Sequence, residues 1–436
     1  MKKHRLGVLS GTGMGIANMI GAGVFLSAGF MAQDMNPKQI LAAWVIGTLL
    51  ALAGARVYSD IARLVPHSGG EYRFLSTLIH PSLGYLAGWA SLLIGFSAPI
   101  AVNAMASGAF ARTLHSGINA TTVAAPMILG LTAVHAIGLR FSVTAQNALV
   151  ALKILLVAGF VIAGLIFGNN SWPEWAPPGQ TDGFPIKPFM SNLFFVAFAF
   201  SGWNAAAYAA SEFKNPKRDV PRAMILSCIV VGIIYLLINW VFVANLTPDQ
   251  FTVVFNYETD RVTLGHLIMK NILGETGAAC MSVLAIIAFI SSSSAMMFIG
   301  PRIYAAMAKD GFLPAALKGK EGKPPVGAVL LQGAIALFLI FMYDIQKALS
   351  NVGAILTLFS ALTVFSLFWI CFKRGKYKRP APLVLAVAGF YLIVSFVMLY
   401  FGFMQSPTLN IWVGTCILAA LIGYFISRRK PARSAD

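Results

Sequence analysis

Lys153 is a charged side chain inside a long apolar run, which extends from Ala148 to Leu165. An ammonium group at membrane depth is costly unless it finds partners, so charged residues there usually have a functional role. Two interpretations are open for this lysine. Its long side chain could reach back to the membrane interface, or its ammonium could be a buried coupling group. We favour the coupling group.

The first apolar segment is rich in glycine and contains the tripeptide Gly21-Ala22-Gly23. Glycines make poor continuous helix, and free backbone N–H and C=O groups are tolerated at membrane depth only where they line a cavity or bind something. The competing interpretation is close packing of helices through small residues, which suits Gly11 and Gly15. For Gly21 and Gly23 we expect a break in the helix.

The sixth apolar segment has a similar composition, with Ser201-Gly202 followed by the amide of Asn204. The first and sixth segments occupy corresponding positions in two halves of five segments each. Interrupted helices at matching positions of two halves are the best sequence indication of a midplane binding site in a transporter. Half-helix N-termini favour a carboxylate, and unwound carbonyls favour a cation or an ammonium group. The pattern therefore predicts binding of a zwitterionic amino acid.

Composition predicts the elements that position these residues. Of 436 residues, 58% are hydrophobic and 11% are charged, and the mean hydropathy is +0.76. Soluble domains average about 25% charged residues, so a soluble enzyme, a disordered chain and a fibrous protein are disfavoured. One span needs about 20 apolar residues. We predict an all-α membrane protein with twelve spans, near 7–32, 39–62, 74–111, 123–139, 144–168, 189–211, 223–245, 277–306, 326–343, 347–372, 382–404 and 408–427.

Lysine and arginine residues are distributed unevenly between the predicted loops. If the N-terminus is cytoplasmic, the inner segments contain 25 of them and the outer segments contain 6, and Lys153 is the remaining one of 32. Cytoplasmic loops accumulate positive residues, so both termini are expected to be cytoplasmic. The same rule accounts for the net charge of +17 without a nucleic-acid partner. We expect a multi-pass protein in the lipid bilayer of the cytoplasmic membrane.

Two other classes of membrane protein are disfavoured. An intramembrane enzyme needs a cluster of metal ligands or nucleophiles within the spans, such as HExxH or paired Asp residues, and the sequence contains none. A receptor would usually carry a soluble output domain, for which the longest cytoplasmic segment is too short. We interpret the cysteines as small hydrophobic residues and expect no metal or cofactor. The cysteines are Cys228, Cys280, Cys371 and Cys416.

Five motifs occur in the order seen in a known transporter family. They are Asn18–Phe25, Tyr58–Tyr72, Gly202–Asn204, Glu212–Arg222 and Arg302–Pro314. Over roughly residues 6–375 the chain resembles the amino acid–polyamine–organocation (APC) transporters, in particular the L-type neutral amino acid branch and similar bacterial permeases.

The resemblance implies a fold and a transport mechanism. The fold is a 5+5 inverted repeat of the LeuT type, with helices 1 and 6 broken and two additional C-terminal helices. The implied boundaries are 1–168 for the first repeat, 189–372 for the second and 382–427 for the additional helices, all within a single membrane domain. The implied mechanism is alternating access.

The resemblance also implies which residues contact the substrate. In the family, backbone amides at the break of the first helix hold the substrate carboxylate. Carbonyls at positions that match Met19, Phe198 and Ser201 receive its amino group, and an aromatic ring at the position of Phe198 closes over it. The substrate-binding residues implied in this way are Met19, Ile20, Gly21, Ala22, Gly23, Phe198, Ser201, Gly202 and Asn204.

A coupling network is implied as well. Lys153 matches a fifth-helix lysine whose ammonium takes the place of the sodium ion in sodium-coupled relatives. Tyr235 in the seventh helix is an implied partner, as are eighth-helix hydroxyls between Ser291 and Ser294, Ser292 among them. We therefore expect transport that does not depend on sodium.

Two departures from the family pattern limit the substrate and the partners. Arginine–agmatine exchangers have an acidic residue, used as a proton sensor, at the position of Asn204, so the amide here argues against a cationic substrate. Animal L-type members bridge to a glycoprotein subunit through a cysteine in the loop after the third span. The corresponding loop, 112–122, has no cysteine, and no disulfide-linked subunit is expected.

We therefore predict a secondary active transporter of neutral L-amino acids. Exchange and proton symport both remain open as its coupling mode. The alternative within transport is a polyamine or cationic amino acid antiporter, which an acidic residue lining the site would favour. We find no such residue within the predicted spans.

Overall fold

The computed structural model describes residues 6–137, 139–178, 184–319, 324–342, 344–373, 377, 379–405, 414, 417–418 and 421–425. Within these ranges, nine helical segments are long and apolar enough to cross a membrane, and two shorter apolar helices accompany them. The predicted all-α, multi-pass class is confirmed. The predicted twelfth span, 408–427, and Cys416 lie mostly or wholly outside the described residues.

The N-terminal part of the chain contains eight helices. Side-chain caps mark some of their starts: Asn36 accepts a hydrogen bond from the backbone N–H of Gln39, and Pro37 occupies the first helical position. Such caps satisfy N–H groups that the helix leaves unpaired. The helices are α1 (Val8–Met19), α2 (Ala22–Met31), α3 (Pro37–Leu64), α4 (Gly70–Leu78), α5 (Pro81–Ala90), α6 (Ala98–Leu114), α7 (Ala120–Ile137) and α8 (Leu139–Phe167).

The third span begins later than predicted. The prediction started it at residue 74, but α4 ends at Leu78 and the span begins with α5 at Pro81. Proline cannot donate to the preceding turn and pushes the residue before it out of helical geometry, which separates the two helices. A π-helical segment, Ser91–Ser97, then joins α5 to α6. The predicted span missed both features.

The C-terminal part of the chain contains nine described helices. The polar segment 246–276, between the predicted seventh and eighth spans, holds α12, α13 and the start of α14, which is kinked at Leu273 and Gly274. The helices are α9 (Ile186–Ala199), α10 (Ala205–Tyr208), α11 (Pro216–Asn245), α12 (Pro248–Asn256), α13 (Glu258–Val262), α14 (Leu264–Lys309), α15 (Val326–Leu339), α16 (Ile345–Phe372) and α17 (Pro382–Gln405).

The interrupted first span lies at the centre of the molecule. Every residue of α2 is buried. Helix α1 packs against α11 and α10, and α2 packs against α9 and α14. Helix α8 lies further out, since Leu155 and Ile162 are exposed on it while Lys153 is 0% exposed. Its lysine therefore points into the protein, towards the first span, rather than back to the membrane interface.

Candidate functional site

The first span is interrupted at Ile20 and Gly21. Helix α1 ends at Met19, Gly21 has an extended backbone (φ −146°, ψ −153°), and α2 begins at Ala22. Gly23, which we expected within the break, lies instead in the first turn of α2. A Cβ atom there would lie 2.5 Å from the Cα atom of Ala199, so this glycine allows α2 and α9 to pack closely. The break is narrower than predicted.

A helix that ends leaves its last carbonyls without partners in the helix. At this break the four carbonyls from Ala17 to Ile20 accept hydrogen bonds from side chains of other helices. The Lys153 Nζ donates to the Ala17 and Ile20 oxygens, at 2.8 Å each. The Tyr235 hydroxyl donates to the Met19 oxygen at 2.6 Å, and the Ser292 hydroxyl donates to the Asn18 oxygen at 3.2 Å.

The environment of the buried ammonium is therefore made of backbone carbonyls. A metal cation at a broken helix would meet the same oxygen ligands, and the C-terminal end of α1 also favours positive charge. The direct partners found for Lys153 are the Ala17 and Ile20 carbonyls. Tyr235 and Ser292 contact the neighbouring carbonyls, whereas the buried Ser291 hydroxyl finds no hydrogen-bond partner among the described residues.

The start of α2 has a partner that the sequence analysis missed. The backbone N–H of Ala22 donates to the Asn103 Oδ1 at 2.8 Å, and Asn103 is a buried residue of α6. The sequence does give a signal for this contact, because Asn103 is an amide residue inside an apolar span. The Asn103 oxygen lies where an anionic oxygen would bind a helix N-terminus.

The sixth span is interrupted between α9 and α10. Residues 200–204 are not α-helical, and Gly202 has a φ of +103°, a backbone conformation that favours glycine. A Cβ atom at Gly202 would lie 2.5 Å from the Cβ of Asn18, so the two breaks touch there. The Tyr235 hydroxyl also lies 2.8 Å from the Ala199 oxygen, so its single hydrogen is shared between this carbonyl and that of Met19. One side chain thus joins the first break to the end of α9.

A cavity lies beside the second break. Of the predicted substrate-binding residues, Ser201, Gly202 and Asn204 line it, together with Asn18 of α1. The residues Met19–Gly23 and Phe198 do not line it, and Phe198 is buried in the core. The cavity therefore brings together three of the nine predicted substrate-binding residues, and the residues of the first break do not line it.

Glu71 also lines this cavity, so the expectation that no acidic residue lines the site is wrong. Its carboxylate accepts hydrogen bonds from the Tyr58 hydroxyl (2.9 Å), the Asn204 amide (2.7 Å) and the Tyr208 hydroxyl. Glu71 lies between the predicted spans 39–62 and 74–111, so a search of the spans alone did not find it. Gly70, at φ +52°, forms the turn before it, where a Cβ would overlap the Tyr208 ring, and so brings the first turn of α4 against α10.

Metal ligands do not cluster in the part of the chain that the structure describes: no three His, Cys, Asp or Glu side chains come together there. Cys228, Cys280 and Cys371 are free thiols. The arrangement suits recognition of a small polar molecule by backbone groups and amides.

Comparison with known proteins identifies a family and several relatives of this chain. The family model described as "Amino acid permease" matches residues 6–426. The b(0,+)-type amino acid transporter 1 of Mus musculus is 26% identical over 97% of this chain and 88% of its own length. The large neutral amino acids transporter small subunit 2 of Homo sapiens is 25% identical over 100% of this chain and 83% of its own length.

The match to a bacterial relative extends over almost the full length of both chains. The serine/threonine exchanger SteT of Bacillus subtilis is 26% identical over 99% of this chain and 98% of its own length. Both helix breaks, Lys153 and Glu71 lie within the matched range. The chain belongs to the amino acid permease family of the APC superfamily.

Proposed function

We propose that the protein is a secondary active transporter that moves neutral L-amino acids across the cytoplasmic membrane by alternating access. The observation that carries the proposal is the pair of helix breaks in contact at Asn18 and Gly202, with a cavity beside them. A site between two broken helices is accessible from either side when the helices around it tilt.

Backbone groups at the breaks supply the proposed contacts to the substrate. The carboxylate binds the N-terminal amides of α2 at Gly21–Gly23, where it displaces the Asn103 oxygen from the Ala22 N–H. The ammonium group binds the carbonyls of Met19, Phe198 and Ser201. The Ile20 and Phe198 side chains enclose it, and the substrate side chain extends along Gly202 and Asn204 into the cavity.

Sodium independence is part of the proposal. The Lys153 ammonium, 2.8 Å from two carbonyls of the first break, supplies the positive charge that a bound sodium ion would supply. Tyr235 and Ser292 complete the set of donors around the break, with Ser291 next to them in α14. Because the cation is covalently part of the chain, transport needs no external metal ion. Exchange and proton symport both fit this arrangement.

Neutral substrates are favoured over cationic ones by the state of the Glu71 carboxylate. It already accepts hydrogen bonds from three side chains, so a substrate cation would have to displace them. A cationic amino acid or polyamine is nevertheless the second candidate, because Glu71 is an acidic residue in the cavity wall. The names of the relatives, which include neutral amino acids and serine/threonine, support the first candidate.

The proposal includes the arrangement of the chain in the membrane. Residues 1–168 and 189–372 form two inverted repeats, and 382–427 form two further helices. The excess of Lys and Arg in alternate loops supports cytoplasmic termini. The loop 112–122 has no cysteine, so we propose that the protein works without a disulfide-linked subunit.

Uptake by proteoliposomes tests these proposals. A panel of radiolabelled neutral, cationic and acidic amino acids is presented to the purified full chain, with and without internal substrate, in sodium and in choline buffer. We expect uptake of neutral amino acids, equal in both buffers. Uptake that requires sodium contradicts the role of Lys153, and preference for arginine or a polyamine favours the second candidate. Absence of uptake for every amino acid overturns the function.

A further inference from the structure

Glu71 is a buried carboxyl group that the proposed substrate contacts do not use. It is 5% exposed and lies in α4, between the second and third spans, with the cavity on one side. Its two oxygens accept hydrogen bonds from Tyr58 of α3, from Asn204 and from Tyr208 of α10. Three donors from two other parts of the fold thus meet one carboxylate.

The groups that act on Glu71 among the described residues are neutral at ordinary pH. Besides its three donors, Tyr391 of α17 lines the same cavity. The neighbouring residues Tyr72 and Arg73 of α4 are turned to Asp310. Among the described residues, no salt bridge includes Glu71. Hydrogen bonds and the position of Glu71 in the first turn of α4 therefore stabilise its negative charge.

Two of the three donors belong to the segment that follows the second helix break. Asn204 ends the non-helical stretch and Tyr208 ends the four-residue α10, whereas Tyr58 lies on the long helix α3. Burial raises the pKa of the Glu71 carboxyl, and the hydrogen bonds from Tyr208, Tyr58 and Asn204 partly lower it again. A buried carboxylate that loses such donors and has no cation nearby binds a proton more readily.

We propose that Glu71 is a proton-binding site of the transport cycle, ionised while Asn204 and Tyr208 contact it and protonated when their segment moves away. The proton comes from water in the cavity and binds a carboxylate oxygen. Because the segment Asn204–Tyr208 also lines the substrate cavity, substrate movement and proton movement share one mobile element. This inference rests on the proposed transport function and assigns it proton coupling, one of the two coupling modes that were left open.

The test measures protons and amino acid together. Proteoliposomes containing the full chain and a trapped pH-sensitive dye receive labelled L-serine or L-leucine, and the ratio of protons to amino acid entering is recorded at several pH values. For wild type we expect acidification of the lumen during uptake. For Glu71→Gln, which has no group at this position that can bind the proton, coupled proton entry is lost. Asp60→Asn is the matched control, because Asp60 is a carboxylate of α3 paired with Arg56 at the surface, and it keeps the wild-type ratio.

A second variant covers the case in which Glu71→Gln does not fold or does not transport. Tyr208→Phe keeps the ring and removes one donor from the carboxylate, so the pH midpoint of uptake rises by about one unit. An unmoved midpoint in Tyr208→Phe, or a wild-type proton ratio in Glu71→Gln, overturns the inference. Wild-type uptake without proton entry also overturns it but leaves the proposed function intact, whereas a wild type that transports no amino acid overturns the function itself.

Discussion

The two helix breaks differ in what holds them. At the first break, four carbonyls accept hydrogen bonds from side chains of α8, α11 and α14. At the second break, the chain is held mainly by its own turns, with the Ser201 N–H donating to the Phe198 oxygen and the Ala205 N–H to the Gly202 oxygen, each at 2.9 Å. The carbonyls of the first break are therefore held by side chains of other helices, whereas the turns of the second break are closed mainly by its own backbone.

Each break also has its own buried ionisable side chain, and the two have opposite signs. Lys153 donates to carbonyls at the first break, and Glu71 accepts from Asn204 and Tyr208 after the second. Neither has an opposite charge as its direct partner among the described residues. An ion pair holds its two charges together and costs several kcal/mol to separate when buried. The partners of Lys153 and Glu71 are neutral dipoles instead, so each charged side chain can act at its own break independently of the other.

The largest effect is expected from removing the cation at the first break. Lys153→Ala leaves the Ala17 and Ile20 oxygens without their donor, at about 1–3 kcal/mol for each buried unpaired group. That is enough to shift a two-state access equilibrium by about tenfold or more. We expect uptake to fall by at least that factor while the protein still reaches the membrane. The measurement is initial uptake per molecule of reconstituted protein.

Lys217→Ala is the matched control for this variant. Lys217 is an exposed lysine at the start of α11, so its loss removes the same charge without touching either break. Wild-type uptake by Lys153→Ala would show that the ammonium is dispensable at the first break. The hydrogen bonds from other helices would then not be what distinguishes the first break from the second.

The second largest effect is expected where the breaks touch. Gly202→Ala places a Cβ atom 2.5 Å from the Asn18 Cβ at a φ of +103°, and a non-glycine residue in such a conformation costs about 1–3 kcal/mol. We expect a lower melting temperature in detergent and several-fold slower uptake. Gly13→Ala is the control, because nothing lies within 4 Å of its Cβ position. Equal effects of both substitutions would contradict the contact between the breaks.

Much of this arrangement follows from patterns that are local in the sequence. The all-α class follows from apolar length, and the breaks near Gly21 and Gly202 follow from glycine and amide content at mid-span. The burial of Lys153 follows from the cost of its charge in lipid. These predictions succeeded because each depends on one segment and on the bilayer around it.

The features of the site that the sequence did not predict depend on contacts between distant segments. Glu71 reaches the cavity only because the turn at Gly70 packs against Tyr208, and no local pattern in residues 68–72 indicates that neighbour. The hydrogen bond between Asn103 and the Ala22 N–H joins residues 81 positions apart. The particular carbonyls that accept from Lys153 could not be predicted either, because backbone carbonyls are not distinguished by residue type.

A smaller effect is expected from the hydroxyl that joins the two breaks. Tyr235→Phe keeps the ring, which packs against Trp44 and Phe200, but leaves the Met19 and Ala199 oxygens without this donor. We expect several-fold slower uptake with little change in expression. Tyr304→Phe removes a buried hydroxyl with a single, longer hydrogen bond of 3.4 Å to the Ser91 oxygen. Tyr304→Phe should slow uptake less than Tyr235→Phe does. A larger effect of Tyr304→Phe would mean that the two breaks move independently of Tyr235.

The smallest effect distinguishes two neighbouring serines of α14, both 0% exposed. The Ser292 hydroxyl donates to the Asn18 oxygen at 3.2 Å, so Ser292→Ala costs about 0.5–1.5 kcal/mol and slows uptake to a similar degree. The Ser291 hydroxyl finds no partner within the described residues, so Ser291→Ala should leave uptake and melting temperature unchanged, since it removes a polar group that gains nothing from burial. Paired uptake and unfolding measurements compare the two. If Ser291→Ala is the more damaging variant, the Ser291 hydroxyl acts in another conformation of the transport cycle. The first break would then have different hydrogen-bond donors in the two conformations.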